Sequence, residues 1–193
     1  MTGYRWRHEE IALLLSRISI KTCDGFSEKE PSWICPGCGR SKPQIVGTGP
    51  NVDVVACVYS HHDHISNLIT RLLDRELPRS SLSPDERRAR LDLHEELERR
   101  ICRFKPVEIC HACNNVDTAA KKIVGAPWWF SFSPRGIRNV IRPPQPYASR
   151  HEIDHDRLRV VWDQVSAEIE GLEDRITQAI REGWPNHATG RLF

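Results

Sequence analysis

The chain has 193 residues, 39% hydrophobic and 28% charged, with 28 Lys and Arg against 26 Asp and Glu for a formal net charge of +2. That length supports one substantial core, and so small a charge rules out bulk electrostatic attraction as the basis for any nucleic-acid binding. No run of 18 apolar residues occurs, and Arg5, Arg7, Glu9 and Glu10 stand where a signal peptide would be apolar, so a cytoplasmic protein with no membrane partner is expected.

In chain order, residues 6–20 predict an N-terminal helix with Trp6, Ile11, Leu14, Leu15 and Ile18 on one face, within an N-terminal helical segment 1–30. Cys35-Pro-Gly-Cys38 then forms a knuckle whose glycines let backbone N–H groups turn toward sulfur. A β-rich stretch, 52–59, runs into Ser60-His-His-Asp-His64-Ile65, a cluster of titratable groups at a strand end. Ser66 is a candidate cap for a helix carrying Leu68, Ile69, Leu72, Leu73 and Leu77. Ser83, Pro84 and Asp85-Glu86 start a second helix with Leu93, Leu97 and Ile101 inward and Arg/Glu pairs outward. Together these predict a helical hairpin, 66–103.

Cys110-His-Ala-Cys113 opens a further helix. From Thr118 to Arg150 there is no acidic residue, whereas Lys121, Lys122, Arg135, Arg138, Arg142 and Arg150 interleave with Trp128, Trp129, Phe130, Phe132 and Tyr147. Such a stretch suits phosphate contact with base stacking, or else a hairpin around Pro134-Arg135-Gly136 with its aromatics inward and its arginines solvated. A long helix, 150–181, follows, with Leu158, Trp162, Val165, Ile169, Leu172, Ile176 and Ala179 at the period of a coiled-coil seam. It offers a homodimer or partner-protein surface, or an internal packing face.

The two C-x-x-C pairs supply four thiolates, enough to close a tetrahedral Zn²⁺ site through Cys35, Cys38, Cys110 and Cys113. Cys23, Cys57 and Cys102 lack such partners and are expected to be small buried residues, since an odd cysteine count argues against a disulfide framework. A knuckle, a hairpin and a helix bringing the second pair make a treble-clef arrangement.

With Asp63-His64-Ile65 between the pairs and Asn114 after the second, the ordered set resembles the HNH endonuclease family over roughly residues 33–122. The resemblance implies an α+β protein: a zinc-stapled ββα core, 31–125, with a helical insertion, 66–103, and a basic, aromatic hairpin and C-terminal helix, 126–193. It implies metal-dependent hydrolysis of DNA phosphodiesters in a phage, restriction or defence setting. His64 would be general base, Asp63 and Asn114 ligands of a catalytic Mg²⁺ or Mn²⁺, and His62 a further candidate ligand. Lys121, Lys122, Arg135, Arg138 and Arg142 would contact nucleic acid. The family's middle Asn is missing, with Lys105 nearest its place.

Two other readings remain. A treble-clef module could bind DNA or protein without cutting. His151-Glu152-Ile-Asp-His155 matches the zinc-protease pattern H-E-x-x-H, but Ser149 and Glu152 predict a capping box at a polar helix start.

Overall fold

A computed structural model describes residues 21–23, 25–48 and 54–188. The expected N-terminal helix lies outside them. The architecture is α+β. Strand β1 (Lys21–Cys23) pairs in parallel with β3 (Val54–His61), whose first residues also pair antiparallel with β2 (Gly47–Thr48). The second half of β3 pairs antiparallel with β4 (Val107–Cys110), in the register Val58–Cys110 and His61–Val107. β4 therefore has a cysteine at one end and the histidine cluster beside the other.

Helices α1 (Ile65–Glu76) and α2 (Pro84–Ile101) follow β3 and pack on each other. The α2 start is as expected: Ser83 accepts from the Glu86 N–H, and the Glu86 side chain accepts from the Ser83 N–H. Helix α1 starts differently. His64 occupies its cap position without a side-chain cap bond, and Ser66 lies inside the first turn.

Helix α3 (His111–Val124) begins directly after Cys110 and stops at Gly125, whose φ of 66° satisfies the left-handed C-terminal position. The expected hairpin around Pro134-Arg135-Gly136 is absent. Ser133 accepts from the Gly136 N–H and Pro134 takes the first helical position, so α4 (Pro134–Val140) is a short helix. Cap chemistry overrides an alternation that residues 128–133 carry alone.

The long C-terminal helix is two helices, α5 (His155–Ile169) and α6 (Leu172–Ala188), separated at Gly171 with φ 64°. That break turns the seam inward. Ile176 and Ile180 are fully buried, Ile169 and Leu172 nearly so, and α6 packs on α1 and α2. The stripe expected to offer a dimer surface is thus part of one core with Ile65, Leu73, Phe130 and Leu158. Among the described residues, no helix is long and apolar enough to cross a membrane.

Candidate metal centre and histidine cluster

The four cysteines of the two pairs are buried, and their sulfurs lie within 4.8 Å of one another. Cys35 Sγ and Cys113 Sγ are 3.8 Å apart, as are Cys38 Sγ and Cys110 Sγ. A tetrahedron with metal–sulfur bonds of ~2.3 Å has edges of about 3.8 Å. The spacing therefore suits a metal such as zinc.

Local structure explains the convergence. The Cys35 N–H donates to the Arg40 carbonyl and Gly39, at φ 77°, donates to the Cys35 carbonyl, which closes the knuckle. Gly37 leaves room for the second pair: a Cβ there would sit 2.9 Å from Cys113 Sγ. Across the site the Cys110 N–H donates to Cys35 Sγ at 3.3 Å.

Charge makes the stronger case. Arg40 is 3% exposed, and its guanidinium donates to the Ala148 carbonyl at 2.7 Å and to Cys110 Sγ at 3.5 Å. It has no carboxylate partner among the described residues. A buried cation needs a buried counter-charge, and anionic sulfur is the one beside it. Burial works against the Arg40 charge, but the charge and hydrogen bonding of the Cys110 and Cys38 sulfurs together outweigh it and raise the pKa. Hydrogen bonding with Cys113 and Cys35 lowers the Cys110 pKa, whereas Cys110 pushes Cys35 and Cys113 upward. A divalent cation would let all four ionise.

His151 lies 3.5 Å from both Cys113 Sγ and Arg40, and its Nδ1 is buried without a partner. The H-E-x-x-H segment is not a helix face. His151 borders the cysteines, Glu152 pairs with Arg142, and Asp154 caps α5 by accepting from the Arg157 N–H. The protease reading and the Ser149 cap both fail on this geometry.

At the other end of β4 the histidines divide. His61 is buried, donates from Nε2 to the Phe132 carbonyl at 2.7 Å and stacks on Phe104, so it is structural. His62 is exposed and His64 half-buried, with ring centroids 4.6 Å apart. Burial first, then the charges of His62 and Lys121, lowers the His64 pKa below 6.5. His64 Nδ1 is 3.3 Å from the Asn67 amide.

Asp63 departs from its expected place as a cation ligand. It is 3% exposed, and Arg103 grips both its oxygens, from Nε at 3.0 Å, Nη2 at 2.8 Å and the backbone N–H at 3.1 Å. Asp117, the other carboxylate at the cluster, is likewise engaged by Lys121 at 2.8 Å and the Phe132 N–H at 2.7 Å. The open donors are His62, His64 and half-buried Asn114, none of them a carboxylate. A hard cation prefers anionic oxygens, so this arrangement does not fit Mg²⁺ or Mn²⁺.

The basic stretch is also less uniform than its sequence. Lys121 is ion-paired, Arg138 donates to the Pro36 carbonyl at 2.9 Å and Arg142 pairs with Glu152, while Lys122 and Arg135 are exposed. Trp129, Phe130 and Phe132 are core residues, leaving Trp128 open among the tryptophans and phenylalanines of the stretch. Cys57 is disulfide-bonded rather than a free buried thiol, and its backbone pairs with that of Cys23. Arg40 and Arg103 carried no local sequence signal, because Cys110, Ala148 and Asp63 lie far from them along the chain, whereas Asp117 had one in its i,i+4 spacing to Lys121. Comparison with protein-family models, with curated proteins and with solved structures finds no match.

Proposed function

We propose that this protein is a nuclease built on a treble-clef zinc staple, with Zn²⁺ held by Cys35, Cys38, Cys110 and Cys113. The observation that carries the reading is the His62–His64 pair, left open at a strand end beside α3, with burial and neighbouring charge biasing His64 toward neutral imidazole. A neutral His64 can take a proton from water as that water attacks phosphorus. Asn67 orients the ring. Presented through its oxygen, which an amide flip allows, it would hold the proton on Nδ1 and leave Nε2 as the base.

His62, beside His64, is the second proton carrier, suited to protonating the departing 3′-oxygen. Lys121, whose charge reaches His64, favours the negative charge that builds on the phosphoryl oxygens. Asp63 serves by fixing the strand end through Arg103. The zinc supplies no chemistry here; it holds β4 and α3 in register.

A non-catalytic treble-clef binding module is the second reading, and the capture of Asp63 by Arg103 favours it. Incubating supercoiled plasmid with wild-type and His64→Ala protein, with Mg²⁺, with Mn²⁺ and without either, separates the two. Nicking by the wild type alone supports the nuclease, while intact plasmid throughout supports the binding module.

A further inference from the structure

Neither centre uses the surface at Arg71 and Trp128. On α1, His64, Asn67 and Arg71 follow at steps of three and four residues, which places them along one face. Arg71 lies about 10 Å along the axis from His64 at ~1.5 Å per residue. Nearby arginines are tied to acids: Arg75 and Arg181 to Glu76, and Arg79 and Arg90 to Asp74. Arg71 has no such partner among the described residues. Its guanidinium instead sits over the Trp128 ring, 5.6 Å from the centroid.

Trp128 is 52% exposed although it directly precedes Trp129, Phe130 and Phe132, which are at most 3% exposed. Three neighbours enter the core and this one stays out. Arg71 covers one part of the indole and leaves the rest to solvent. Lys122, exposed in the last turn of α3 shortly before Trp128, adds a second cation without a carboxylate partner among the described residues.

We propose that Arg71 and Trp128 form a stacking subsite for a single-stranded stretch of nucleic acid that passes the histidine cluster. An indole beside an uncommitted guanidinium matches a base beside its phosphate. In a duplex the base faces are already stacked, so an open indole selects unpaired nucleotides. The distance of about 10 Å from His64 puts the subsite within reach of the same strand. The proposal rests on the nuclease reading for what is cut, but stacking can be measured without cleavage.

The test is fluorescence anisotropy of labelled oligo-dT and oligo-rU strands, and of a hairpin duplex, titrated with the full chain over a range of salt. Trp128→Ala is expected to weaken binding to one or both single strands about ten- to a hundredfold, with duplex affinity within about twofold. Trp128→Phe should keep most of the affinity. Arg71→Ala should reduce the salt slope by about one ion, with Arg71→Lys restoring it. The larger loss on dT or on rU identifies the sugar the subsite takes. Trp128→Ala within about twofold of wild type on both strands, or a wild type that binds neither, overturns the proposal. Plasmid nicking by a Trp128→Ala protein with unchanged strand affinity removes the subsite and leaves the nuclease standing. Trp128-dependent binding without any nicking removes the nuclease and leaves the subsite.

Discussion

The four-cysteine centre and the histidine cluster lie at the two ends of one four-residue strand, β4, yet they are finished in opposite ways. At the cysteine end everything points inward: four sulfurs at tetrahedral spacing, a buried guanidinium and an imidazole beside them. At the histidine end the carboxylates have been captured by cations, and imidazoles remain open. The contrast teaches that a residue's chemistry follows from what its neighbours leave free. An Asp next to a His is a ligand only if no arginine has taken it.

The contrast breaks most severely at the cysteine end. Cys113→Ser removes a ligand from a closed site, so zinc content should fall from about one ion per chain and the cooperative unfolding transition should disappear. Metal analysis and circular dichroism on heating check both.

Asp63→Ala tests the other end. It leaves Arg103 without its counter-charge, and a loss of about 3 kcal/mol is expected, the low end for a buried pair because Arg103 is partly exposed. Zinc content should be unchanged; urea denaturation supplies the measurement. A near-neutral result would mean that the ion pair does not hold the strand end.

Gly171→Ala is a control remote from both ends. A side chain at φ 64° costs about 1 kcal/mol, read as a lower denaturation midpoint with neither zinc content nor nicking altered. A stabilised protein would argue for one continuous helix.

The smallest effect concerns pH. Burial, then His62 and Lys121, holds His64 below 6.5. The neutral ring therefore persists into mild acid, and the acid limb of kcat/KM should lie below the ordinary imidazole value. The stability that the neutral ring contributes is present above pH 6.5 and lost as pH falls through the folded-state pKa. His62→Ala removes a repelling charge and should move the limb upward. A downward shift would contradict the pairing.

The cysteine end was legible in the sequence because spacing alone constrains it: C-x-x-C twice, with glycines beside the first pair, leaves few other arrangements. The α1–α2 hairpin was legible for the same reason, through the Ser83 cap and the leucine stripes. The histidine end was legible only as a cluster. Its assignments turned on Arg103, 40 positions from Asp63, and no local pattern announces a partner so distant. The C-terminal seam misled because its period survives Gly171, while the helix breaks there.

The central claim is that His64 does chemistry on a scaffold that the cysteines hold. Its most direct test is nicking of supercoiled plasmid by wild-type and His64→Ala proteins matched for zinc content and thermal stability, with Mg²⁺, with Mn²⁺ and without either. The account predicts nicking by the wild type and a loss of about a hundredfold or more in His64→Ala at equal zinc content. Equal nicking by the two proteins, or none by the wild type under any condition, would contradict it.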